Sequence, residues 1–104
     1  MTTDKFNALV HELTSHAQET MNAKGPEYTM QDKDILNNFK ATAKKLGVDP
    51  LIIWYAYFDK QVSSVAAHVS NHDLNKAEPM ISRFGDIINY AKLGYALFVE
   101  RDKL

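Results

Sequence analysis

The sequence predicts an all-α, four-helix bundle-like single domain covering residues 1–104, and three observations predict it. Apolar residues recur at three- and four-residue steps in four separate stretches. Gly25-Pro26, Gly47, Asp49-Pro50 and Pro79 fall at the boundaries of those stretches, where helices stop and start. A chain of 104 residues with 45% hydrophobic and 24% charged side chains has the size and make-up of one ordinary globular unit.

In the first stretch, Thr2, Thr3 and Asp4 offer caps ahead of Phe6, Leu9, Val10, Leu13, Ala17 and Met21, which share one helical face. This helix is expected to end at Gly25-Pro26, with Lys24 to Gln31 as a loop. Asp32 or Asp34 then starts a short second helix that buries Ile35, Leu36, Phe39, Ala43 and Leu46 and stops at Gly47.

Asp49 as cap and Pro50 at the first helical position open a third helix running to about Ser70, with Asn71 as its stop. Read alone, LIIWYAYF also suits a buried strand. The flanks decide for helix, because Leu51, Trp54, Tyr55, Phe58, Val62, Val65 and Val69 hold a helical period too long for an ordinary strand. After the polar connection HDLNKAE, Pro79 opens helix four, whose expected core face is Met80, Ile81, Phe84, Ile87, Ile88, Ala91, Tyr95 and Phe98; RDKL reads as a solvated end.

Charge narrows the function classes. Twelve basic and thirteen acidic residues leave a net charge of -1, which disfavours gripping extended nucleic acid but permits a small anion held by a few local cations. The absence of cysteine excludes disulfides, thiolate zinc and a cysteine nucleophile. No apolar run reaches the roughly 20 residues a membrane helix needs, and the first residues form an amphipathic pattern with no secretory signal, so a cytoplasmic protein is expected. His11 and His16 in HELTSH are wrongly spaced for a zinc helix, about 140° apart around the axis, and no hydrolytic triad, phosphate loop or dinucleotide fingerprint is present.

Helices three and four each carry a second face. Ile53, Tyr57, Lys60, Ser64 and His68 fall together on the third; Arg83, Asp86, Tyr90, Leu93 and Leu97, with Asn89 beside them, fall together on the fourth. Two readings stay open. The stripes are a subunit interface in a homo-oligomer, or they line a groove where Arg83 and Lys60 hold phosphate while Tyr57 or Tyr90 stacks on a base. Asp86 is alternatively an ordinary ion-pair partner of Arg83, and Asn38, Asn89 and His68 are singly more often satisfied polar groups than ligand contacts.

The segments Lys24 to Tyr28, LNNFK, LGVDPLIIWYAYFDKQVSSV and EPMISRFGDIINYAKL resemble small phage and prophage proteins of the nucleotide modification associated type, over about four fifths of the chain. The resemblance marks Lys24, Tyr28, Asn38, Phe39, Lys60, Ser64, Glu78, Arg83, Asp86, Asn89 and Tyr90. It is similar more distantly to the all-helical nucleotide pyrophosphatases, which hold magnesium with several carboxylates. This chain departs from them: Ser82 and Arg83 precede Asp86, and Lys60 and Ser64 stand where paired acids are wanted.

The resulting expectation is a phage-type, non-enzymatic protein that binds a nucleotide or cyclic nucleotide, in nucleotide metabolism or in sequestering a host immune signal in the host cytoplasm. Its ligand residues are Lys24, Tyr28, Asn38, Tyr57, Lys60, Ser64, Arg83, Asp86, Asn89 and Tyr90, with no catalytic residue, metal or cofactor. The alternatives are a helical oligomeric interaction module and a metal-dependent nucleotide pyrophosphatase.

Overall fold

A computed structural model describes residues 1–29, 33–70 and 78–103. Four helices are present, α1 (Thr3–Thr29), α2 (Asn37–Leu46), α3 (Pro50–Ser70) and α4 (Met80–Asp102), with no strand among the described residues. The architecture is all-α and bundle-like, as the periodicity predicts. No helix is long and apolar enough to cross a membrane among the described residues.

Several boundaries follow from local chemistry. Thr2 Oγ1 accepts the Lys5 amide at 3.1 Å and Asp49 Oδ1 accepts the Leu51 amide at 2.8 Å, so each satisfies a donor that a helix start leaves orphaned. Gly47 takes the left-handed conformation, φ 68°, that ends α2, and its amide returns to the Ala43 carbonyl. Asp34 accepts the Leu36 amide at 2.9 Å in a turn that delays α2 to Asn37, later than the predicted Asp start; Asp32, Asn71 and the connection 71–77 lie outside the described residues.

The first helix does not stop at Gly25-Pro26. It runs through Pro26 to Thr29, so Lys24 and Tyr28 are helical residues rather than loop residues. An interior proline removes one hydrogen bond and costs about 3 kcal/mol. Burial of Tyr28 offsets much of that, since the extra turn carries its ring, 5% exposed, into a core with Leu36, Phe39, Leu93 and Leu97. Asn37 Nδ2 then caps the lengthened end by donating to the Thr29 carbonyl at 2.9 Å.

The expected core face of α4 is likewise corrected. Its buried residues are Arg83, Gly85, Asn89, Leu93, Gly94 and Leu97, while Met80, Phe84, Ala91, Tyr95 and Phe98 are exposed. Close approach of backbones decides the orientation. A Cβ built on Gly85 would sit 3.3 Å from His16 Cδ2 and 3.6 Å from Ala17 Cα, and one built on Gly94 would meet the Trp54 ring at 2.2 Å. The two glycines therefore mark the contact sides, Gly85 toward α1 and Gly94 toward α3, and α4 lies between its neighbours.

Helix α1 keeps its expected face inward at Leu13, Ala17 and Met21 but leaves its first turns exposed, and α3 buries its expected stripe only in part. Phe6, Leu9 and Val10 are exposed on α1, where only Ala17 and Tyr28 are buried. On α3 the predicted single stripe splits: Leu51, Trp54, Phe58 and Val65 are half-buried, whereas Tyr55, Val62 and Val69 are exposed. Ile35 and Leu46 are also exposed, and α4 extends into the predicted solvated end through Arg101 and Asp102.

Two substitutions test this packing. Pro26→Ala restores a donor inside a formed helix and is expected to raise stability by up to about 3 kcal/mol in urea unfolding, whereas no gain would indicate that the segment is not helical. Gly94→Ala is expected to lower stability by about 1–3 kcal/mol in the same measurement, because the indole is held and must move.

Candidate functional site

Helical spacing supplies the site one helix at a time. Lys24 and Tyr28 are four residues apart and share a face of α1; Arg83, Asp86 and Tyr90 do so on α4, and Tyr57, Lys60 and Ser64 on α3. The fold then directs most of these faces to one place, around the Tyr90 ring.

Tyr90 meets an aromatic ring from each of the other helices. The Tyr28 ring of α1 stands edge-on at 6.3 Å and the Phe39 ring of α2 edge-on at 6.4 Å, while the Tyr57 ring of α3 lies parallel, 6.0 Å away with an interplanar angle of 2°. Phe39 also touches Tyr57 edge-on at 6.2 Å. Edge-on and offset arrangements place the positive ring edge against a negative face, and each pair adds about 0.5–1.5 kcal/mol beyond burial. Tyr57 remains 39% exposed, so the cluster has an outer side in solvent.

Charged groups flank the rings. Lys24 Nζ lies 3.8 Å from Asp86 Oδ1, linking α1 to α4 one turn before Tyr90. A further turn back, Arg83 Nη1 donates to Ser64 Oγ of α3, and Arg83 is buried. The His68 ring shares a hydrogen at 3.1 Å with the Ser64 carbonyl, so His68 is satisfied by its own helix.

Burial governs the titration of this cluster. The Tyr28 phenol is pushed well above its ordinary range by burial first and then by the neighbouring Tyr90. Burial also raises Tyr90, and both phenols remain protonated at neutral pH. At Asp86 burial again dominates and raises the pKa above 3.8; Glu78 acts in the same direction, while Lys24 and His16 oppose it.

Among the ten predicted ligand residues, Lys24, Tyr28, Tyr57, Ser64, Arg83, Asp86 and Tyr90 join this connected arrangement. Three stand apart. Asn38 is half-buried at the start of α2, next to Phe39. Asn89 is sealed inside the α1/α4 contact, 1% exposed, donating to the Ala17 carbonyl at 2.8 Å. Lys60 is exposed on α3 and makes no ion pair among the described residues. Asp86 takes Lys24 as its cation, where the alternative reading paired it with Arg83.

Sequence reasoning missed His16 and Trp54. The His16 ring lies 3.2 Å from Ser82 Oγ and acts on Asp86; its signal was a lone polar side chain on the α1 apolar face, beside Leu9 and Leu13. Trp54 Nε1 donates to the Tyr90 carbonyl at 2.6 Å, which pins the central tyrosine to α3. Its signal was the need of a half-buried indole for an acceptor.

Two cavities lie elsewhere on the molecule. One of about 230 Å³ is bounded by Lys40, Pro50, Leu51, Leu97, Glu100 and Arg101, and one of about 440 Å³ by Leu9, Glu12, Leu13, Met80, Ile81 and Phe84. None of the predicted ligand residues lines either. Compared with protein-family models, curated proteins and solved structures, the chain gives no match.

The raised Asp86 pKa makes a stability prediction with a definite sign. Folded protein holds that proton more tightly than unfolded protein, so the contribution is fully present below the unfolded aspartate value and is lost as pH rises through the folded one. Asp86→Asn removes this dependence. In urea unfolding between about pH 3.5 and 7, spanning the usual aspartate range, the stability of the variant relative to the parent is expected to increase with pH. A flat or falling difference would contradict the assignment.

Proposed function

We propose that this protein is a non-enzymatic nucleotide-binding protein, of the phage type that acts in nucleotide metabolism or sequesters a host nucleotide immune signal. The observation that supports it is the convergence of Tyr28, Tyr57 and Tyr90, from three helices, with Lys24 and Asp86 at their side. A nucleotide joins a flat π-system to an anion, and a site for it needs an aromatic surface beside a cation that can be released.

Lys24 meets the second requirement. Its side chain is 42% exposed and its ion pair with Asp86 is long, so this contact holds the ammonium weakly against a competing phosphate. Tyr57 supplies the accessible ring. Arg83, held against Ser64, contributes a fixed positive charge behind the tyrosines.

Calorimetric titration with a panel of mono-, di- and cyclic nucleotides tests the reading. At least one is expected to bind and to be recovered intact after incubation with magnesium. Tyr57→Ala and Lys24→Ala are each expected to weaken that binding about tenfold or more, the scale of one lost stacking or phosphate contact. Silence across the panel from folded protein would overturn the proposal, and release of pyrophosphate would replace it with hydrolysis.

A second reading, a self-associating interaction module, is favoured by a separate observation. Apolar side chains that a monomeric bundle ordinarily buries are exposed along α1, α3 and α4, among them Phe6, Ile52, Val69 and Tyr95. The two readings are compatible, since the tyrosine cluster and these faces occupy different sides of α3.

A further inference from the structure

Helix α3 carries an outward seam along its whole length. Ile52, Tyr55, Asp59, Val62, Ala66 and Val69 follow one another at steps of three, four, three, four and three, and all six are exposed. The four large apolar members are 59%, 61%, 41% and 84% exposed for Ile52, Tyr55, Val62 and Val69. An alternating three-four step is the pattern of a helix that packs against another helix, and the inward side of α3 is already used by Trp54, Phe58 and Val65.

The seam is also complementary to itself when reversed. Placing a second α3 antiparallel sets Ile52 opposite Val69, large Tyr55 opposite small Ala66, and Asp59 opposite Val62, and the same three layers repeat across the two-fold. A parallel arrangement sets Tyr55 on Tyr55 and Asp59 on Asp59. The flank next to Asp59 holds Ala56, Ser63 and Ser70, small enough for close approach.

Surface area agrees with an unfilled interface. The chain exposes 7252 Å², against about 5,900 Å² for a compact monomer of 11.8 kDa. The surplus of roughly 1,300 Å² exceeds the ~800 Å² each partner gives to an interface of standard size. We infer that the outward seam of α3 is the contact through which this protein forms a two-fold dimer with a second copy of itself, α3 packing antiparallel on α3, with Tyr55 of each copy over Ala66 of the other. This deepens the self-association reading and does not depend on nucleotide binding.

Sedimentation equilibrium of the full chain, from micromolar to near-millimolar concentration, tests it together with oxidative cross-linking. The parent is expected to dimerise. Val62→Asp, an exposed position, is expected to weaken the dimer about tenfold or more while helicity by circular dichroism is unchanged. Asp59→Leu, which replaces the one charged member of the seam with an apolar one, is expected to tighten it.

Orientation is read from cysteines in this cysteine-free chain. Tyr55→Cys mixed with Ala66→Cys is expected to give a cross-link between the two variants and none within either alone. A monomeric parent, an unchanged mass distribution for Val62→Asp, or cross-links within each single variant would overturn the inference. Nucleotide titration of Val62→Asp separates the two proposals: binding retained by a monomer leaves the tyrosine site standing whatever becomes of the seam.

Discussion

The rest of the structure depends on how closely α3 approaches α4 at Gly94. Only a residue without a Cβ admits the Trp54 indole there, and the same approach brings Nε1 to 2.6 Å from the Tyr90 carbonyl. Steric admission and a hydrogen bond thus act at successive turns of one helix. They orient α4, and through Tyr90 they fix where the rings of α1, α2 and α3 meet. Trp54 is further held by stacking on Phe58 at 5.2 Å and by the Phe98 edge, so the indole cannot swing away without disturbing both helices.

Once α4 is oriented, polar groups enter the interior with partners that restrict the register. Asn89 reaches the Ala17 carbonyl of α1, and Arg83 reaches Ser64 of α3. A buried amide or guanidinium is costly unless satisfied, and a shift of one turn along either contact would strand it. At the opposite end Lys40 of α2 pairs with both Asp34 and Glu100, which ties the shortest helix to the end of α4 through exposed, individually weak contacts. Position along the helices is therefore set by the buried polar pairs, while burial of Phe39, Leu93 and Leu97 supplies the driving force.

This arrangement leaves a small core and long exposed faces. The molecule measures 45 × 28 × 26 Å, and its radius of gyration of 15.6 Å exceeds the ~13 Å of a compact unit of this length. Helix α1 leaves Phe6, Leu9 and Val10 of its first turns exposed and α3 leaves its outward side exposed, so these apolar residues are available to other molecules. The inward side of α3 contributes Tyr57 and Ser64 to the tyrosine cluster, and its outward side contributes the seam.

What the sequence by itself determined was element type and the grouping of chemistry on faces. Four helices, the caps at Asp49 and Gly47, and the clustering of Tyr57 with Ser64 and of Arg83 with Asp86 and Tyr90 all follow from 100° spacing and end chemistry, which are local. The tertiary structure decided which face turned inward. Hydropathy favoured Phe84, Tyr95 and Phe98, yet Gly85 and Gly94 admitted neighbouring backbone and rings, and a pattern of large side chains carries no record of that vacancy. It also decided that Pro26 lies within a helix, because the compensating contact of Tyr28 with Tyr90 joins residues 62 positions apart in the sequence, beyond the range of any local rule.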